Sequence, residues 1–217
     1  MRVLLEPKTS PSPPLRKVLK KLCHCLKQYD DPKKDIAYWY GERALTGLLA
    51  SASWMTRTGW SLEEFTGQRR NGRRKNGSGK GDLWLGVAGK EYTIEAKVTW
   101  PTQVSDVSKW KTTVSKKLLR ASNQLDALAP IYRCGKPLAV CYVVPAIPLG
   151  KKVITNESFT TAMKHFAKLM TKNNAHTEVI CCWLNDVRIA PQAASEVMHK
   201  LLYLLCRTGI LLLQRRT

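Results

Sequence analysis

Apolar side chains recur at Val107, Trp110, Val114, Leu118, Ala121, Leu125 and Leu128, a spacing of three and four that predicts a helix over residues 105–129. Ser105 is placed to cap it and Pro130 to stop it. Lys109, Lys111, Lys116, Lys117 and Arg120 fall outside the apolar stripe. The same period marks residues 15–28, with Leu15, Val18, Leu19, Leu22, Cys25 and Leu26 inside a ring of lysines, and residues 156–171, with Phe159, Met163, Phe166 and Met170. Residues 36–55 read as a long core helix striped by Tyr38, Leu45, Leu48, Leu49 and Ala52. Residues 58–67 alternate loosely and predict a first strand. Residues 137–144 and 177–184 are continuous apolar runs, as in strands covered on both faces. Residues 1–14, with four prolines, are expected to be irregular. Pro191 opens a last helix through Val197, Leu201 and Leu205, ended by Gly209, after which residues 210–213 add an edge strand or dock on the body.

The most informative pattern lies at residues 81–97. Two alternating segments flank a turn at Gly89-Lys90. Pairing across that turn sets Val87 opposite Tyr92, Leu85 opposite Ile94, Trp84 opposite Glu95 and Asp82 opposite Lys97. One face then carries Leu83, Leu85, Val87, Tyr92, Ile94 and Ala96, a core set. The other carries Asp82, Trp84, Glu95 and Lys97, bringing two carboxylates and an amine within roughly 5–8 Å at Cβ. A slip of one residue would destroy this sorting.

Charge changes the picture next. The 217 residues hold 36 lysines and arginines against 16 acids, a formal charge of +20, with 44% apolar residues. That composition suits one globular domain with appendages. The excess charge points to a polyanionic partner, nucleic acid before an anionic membrane surface. Residues 68–81 concentrate it: Arg69, Arg70, Arg73, Arg74, Lys75 and Lys80, no acid, and four glycines, leading directly into Asp82. This stretch is expected to be a flexible basic loop that closes on a phosphate backbone. The seven cysteines lack zinc or disulfide-framework spacing and read as buried thiols of a reducing, cytoplasmic compartment. His165 has no companion ligand at i+4. No signal peptide or transmembrane segment is expected, since 201–213 is short and broken by Arg207.

Two adjacent carboxylates repel unless a cation joins them, and oxygen ligands of this kind suit Mg²⁺ or Mn²⁺. Asp82 followed by Glu95-Ala96-Lys97 in the next strand resembles the motif of the PD-(D/E)XK nuclease superfamily, with Gly81 where that family carries proline. The resemblance implies a restriction-endonuclease-like α/β core, an α-β-β-β-α-β mixed sheet flanked by helices, spanning residues 35–190. A basic N-terminal extension with an amphipathic helix (1–34) and a C-terminal helix and tail (191–217) complete the division. It also implies metal ligation by Asp82, Glu95 and the Ala96 carbonyl, and assistance to the attacking water by Lys97. Glu42, at the margin of the 36–55 stripe, matches a glutamate that completes or orients the metal set, and Gln124 matches a glutamine on the helix after Glu-x-Lys. The implied activity is Mg²⁺-dependent phosphodiester hydrolysis, with DNA favoured over RNA and an endonuclease favoured. Arg69, Arg70, Arg73, Arg74, Lys75, Lys80, Lys116 and Lys117 are the nucleic-acid-binding candidates. A homodimer or a larger nuclease assembly is compatible, and the alternative is a non-catalytic or partner-dependent nucleic-acid-binding module of the same fold.

Overall fold

A computed structural model of the chain describes residues 2–5, 13–33, 40–71, 74–101, 106–128, 135–144, 146–148, 156–171, 177–183, 197–199 and 201–208. The hairpin forms as β3 (Arg74–Val87) and β4 (Lys90–Thr99). Its turn is Ala88-Gly89 rather than Gly89-Lys90. Both turn residues have positive φ, 48° and 71°, as in a type I′ turn, whose twist matches that of its flanking strands. Val87 therefore pairs with Lys90, Leu85 with Tyr92 and Leu83 with Ile94, each partner two residues from the expected one. Because the strand period is two, this displacement leaves every side chain on its face. The whole expected core set, Leu83, Leu85, Val87, Tyr92, Ile94 and Ala96, is buried in one cluster.

The protein is mixed α/β. β2 (Trp60–Asn71), β3 and β4 run antiparallel, and β4 pairs in parallel with β5 (Lys136–Val143). A parallel pair needs a crossover, which α3 (Val107–Ala127) supplies. Helices cover both faces of this four-stranded mixed sheet. On one side α1 (Pro13–Lys33) and α2 (Gly41–Trp54) pack on the hairpin and on Leu138, Val140 and Tyr142. On the other, α3 and α4 (Asn156–Thr171) pack on Ala139, Cys141 and Val143. Burial on both faces accounts for the unbroken apolar run of β5. The basic N-terminal helix is thus part of the main core, through Leu15, Val18, Leu19, Leu22, Cys25 and Leu26. The cap of α3 is Asp106, not Ser105, and its side chain accepts a hydrogen bond from the Lys109 amide at 3.1 Å.

Four further expectations are corrected. Arg2–Leu5 forms a strand, β1, within the segment taken as irregular. Val197, Leu201 and Leu205, expected on one helix, lie on strands β8 (Val197–His199) and β9 (Leu201–Thr208). β9 sits between β5 and β7 (Thr177–Trp183), antiparallel to both, in a sheet of order β1-β7-β9-β5-β4-β3-β2. A short apolar run such as 201–206 serves a buried helix or a central strand equally, and periodicity does not separate them. The basic stretch 68–81 belongs mostly to β2 and β3 rather than to a flexible loop. Cys25 and Cys141 are free and buried, but Cys23 is disulfide-bonded, unlike the reduced thiol expected of every cysteine. Chain spacing detects regular cysteine frameworks, not a cross-link made by the fold. Pro191 and residues 210–213 lie outside the described residues, as do 34–39 before α2.

Gly135, just before β5, has φ 72°, and a Cβ there would lie 2.2 Å from the Glu91 carbonyl oxygen. A backbone oxygen inside the sheet has little room to yield. Gly135→Ala is expected to cost about 2–4 kcal/mol, combining left-handed strain with overpacking. Thermal denaturation should show Tm lower by about 5–15 °C; an unchanged Tm would contradict this packing.

Candidate active site

Three segments distant in sequence, at Glu42, Asp82 and Glu95-Ala96-Lys97, meet where β3 and β4 part company. The pairing of these strands ends at Leu83 with Ile94, so Asp82 stands just beyond the ladder. Its Oδ2 accepts a hydrogen bond from the Ala96 amide at 2.8 Å, which stitches Asp82 to the middle of Glu95-Ala96-Lys97. Lys97 Nζ donates to Glu42 Oε1 at 3.2 Å, lies 3.8 Å from Asp82 Oδ2, and donates to the Ala96 carbonyl. Glu42 reaches this point because it occupies the first turn of α2. Glu95 shares the Lys97 face of β4 and is fully buried, at 0% exposure, while Lys97 is 8% exposed. The Glu42 and Asp82 side chains retain 35% and 31% exposure, so the cluster opens to solvent on the carboxylate side.

Among the described residues, Glu42 and Asp82 meet the Lys97 ammonium, and Glu95 shares its face of β4. Carboxylates gathered in one place repel unless a cation stands between them, and Lys97 stands between two of these. Lys97 is paired in register with Cys141 of β5. Burial pushes the Cys141 thiol up to about 12, with the charges of Lys117, Glu42 and Lys97 also acting on it. A thiol so placed stays protonated and is no nucleophile. The chemistry of the face is therefore carboxylate and ammonium chemistry.

Among the described residues, no group of three or more His, Cys, Asp or Glu is gathered tightly enough to enclose a metal ion. The donors nonetheless fit a hard divalent cation, since Mg²⁺ takes one or two protein carboxylates and fills its shell with water and phosphate. Asp82, Glu95 and the Ala96 carbonyl supply such oxygens; the Lys97 ammonium now contacts two of them, the Asp82 carboxylate and the Ala96 carbonyl.

The other anticipated residues divide. Gln124 lies late in α3, and its buried Oε1 has no hydrogen-bond partner among the described residues. Lys116 is exposed and Lys117 half-buried on the same helix. Arg69 and Arg70 lie on β2, and Arg74, Lys75 and Lys80 on β3; Arg73 lies outside the described residues. β2 pairs with β3 from Trp60 opposite Gly86 out to Asn71 opposite Arg74, so beyond Leu83 the hairpin continues as a two-stranded ribbon.

The base of this ribbon is fastened by aromatic rings and by Glu64, which pattern reading did not single out. Trp84 meets Trp60 edge-on, with ring centroids 5.0 Å apart, and Phe65 at 6.3 Å. The Trp60 and Phe65 rings cover Gly86 and Gly81, where an added Cβ would lie 2.2 and 2.3 Å from ring atoms. Glu64, at φ 47°, bridges Arg43 of α2 and Lys80 of β3, the latter at 3.1 Å. The Lys80 ammonium, and then the Arg43 guanidinium, hold its carboxyl below the usual range. The signal for Glu64 was available: Glu63-Glu64 stand just ahead of the basic run, separated from Arg69 by Phe65, Thr66, Gly67 and Gln68.

No family model matches the chain, and neither a curated protein nor a solved structure matches it. No helix among the described residues is long and apolar enough to cross a membrane.

Proposed function

We propose that the protein is a metal-dependent nuclease, a DNA endonuclease with a restriction-endonuclease-like core. The observation that carries this reading is the meeting of Lys97 with Glu42 and Asp82, at 3.2 and 3.8 Å, beside the buried Glu95. Asp82 and Glu95, with the Ala96 carbonyl, hold Mg²⁺, for which Mn²⁺ substitutes. A divalent metal so held supplies Lewis-acid activation of water and of the phosphoryl oxygen. Lys97 orients the attacking water and steadies the charge that builds on the phosphate. Glu42 holds the Lys97 ammonium in place through its hydrogen bond. The basic residues of β2, β3 and α3 bind the phosphate backbone.

A second reading, a nucleic-acid-binding module without catalysis, draws on one feature: Lys97 already meets both carboxylates, as in an ordinary structural ion pair. Incubation of purified protein with supercoiled plasmid in Mg²⁺, Mn²⁺ or EDTA separates the two. Relaxed and linear products in either metal, absent in EDTA, support the nuclease. Tight, salt-sensitive binding with no cleavage in either metal supports the module and contradicts the nuclease.

A further inference from the structure

We propose that the outer half of the β2–β3 hairpin is a duplex-reading arm, which lies in the major groove of B-form DNA and holds the duplex against the Asp82 end of the same strand. The placement of the cut rests on the nuclease reading; the arm's binding does not.

Beyond Leu83, β3 pairs with β2 alone: Phe65 with Gly81, Thr66 with Lys80, Gly67 with Gly79, Gln68 with Ser78, Arg69 with Gly77 and Asn71 with Arg74. Up to the register shift between Arg69 and Asn71, this pairing sorts the arm into two unlike faces, since directly opposed residues share a face. One face holds Gly67, Gly77, Gly79 and Arg69; the other holds Thr66, Gln68, Ser78 and Lys80. Apart from Arg69 this face is glycine, which adds almost no thickness to the backbone. A two-stranded ribbon fits the B-DNA major groove, about 12 Å wide and 8.5 Å deep, and a thin one fits with room to spare. The deep, narrow major groove of A-form RNA excludes it.

Charge and composition choose the same occupant. Between Phe65 and Gly81 no acid occurs, while Arg69, Arg70, Arg74, Lys75 and Lys80 do. Neither does an aromatic residue occur there, although single-stranded nucleic acid is generally held by stacking its bases on aromatic rings. The face carrying Gln68, Ser78 and Lys80 is in phase with Asp82, two positions further along β3. From Arg74 to Asp82 the strand rises eight residues, roughly 26 Å. The arm and the Asp82 end of the carboxylate cluster therefore lie on one continuous strand. Glu64, bridging Arg43 to Lys80, ties the base of the arm to the helix that carries Glu42.

Fluorescence anisotropy of the full chain in EDTA tests the arm without cleavage. The probes are a 24-mer DNA duplex, one of its single strands and the corresponding RNA duplex, at matched salt. DNA duplex should bind at least ten-fold tighter than either other probe. The variant Arg69→Ala/Arg70→Ala/Arg74→Ala/Lys75→Ala should lose at least ten-fold in duplex affinity, with the log–log salt slope shallower by up to about 3.6. Replacing residues 67–79 with an Asn-Gly turn keeps Thr66 opposite Lys80 and should give at least the same loss, with Tm within a few degrees of wild type. Undiminished duplex binding by the shortened chain, or equal affinity for single strands or RNA duplex, overturns the proposal. Because metal is absent throughout, failure of the nuclease reading leaves these outcomes untouched.

Discussion

Replacing Lys97 with alanine is expected to slow plasmid cleavage by two to three orders of magnitude, the usual effect of removing one preorganised group that meets developing charge. DNA binding should stay within a few-fold, since the many other lysines and arginines dominate it. Lys97 is suited to this role by its neighbours. It is nearly buried, hydrogen-bonded to Glu42 at 3.2 Å, and held over the Ala96 carbonyl. Loss of the ammonium also takes from Glu42 and Asp82 the cation that both now meet, so Tm is to be measured on the same sample. A variant that stays folded and cuts at the wild-type rate would remove Lys97 from the chemistry.

The second large effect falls on the neighbouring strand, β3, where two adjacent residues face opposite ways. Leu83 is fully buried in the main cluster. Leu83→Ala should cost about 2–5 kcal/mol from lost burial and the cavity left behind, lowering Tm by about 5–15 °C. Cleavage per folded molecule below that Tm should be retained. Asp82→Asn should do the reverse, because the substituted side chain keeps an oxygen for the Ala96 amide while losing the charge. Two adjacent residues with opposite phenotypes are what a strand with one core face and one chemical face requires. If Asp82→Asn destabilised the fold as much as Leu83→Ala, Asp82 would be a structural residue.

The division of faces in the hairpin was legible because alternation needs only a period, and Leu83, Leu85 and Ile94 announce it. Its register was not, because the choice between Ala88-Gly89 and Gly89-Lys90 turns on Ala88 accepting positive φ. Glu42 was visible as an acid at the edge of an apolar stripe. Its contact with a lysine 55 residues away belongs to the tertiary fold. The ribbon carried a signal that its composition masked. Gly77, Gly79 and Gly81 recur with the period of a strand, yet glycine and like charges argue for a loop. Only the pairing with β2 decides between them. The C-terminal run 201–206 failed for a different reason: apolar on every side, it has no face from which a period could be read.

The most direct measurement is the initial rate of supercoiled-plasmid cleavage in Mg²⁺ by wild-type protein and by Asp82→Asn purified side by side. Cutting by the wild type and at least a hundred-fold slower cutting by Asp82→Asn is the expected result, and it locates hydrolysis at the β3–β4 cluster. Equal rates from the two proteins, or no cutting by either, would contradict that assignment.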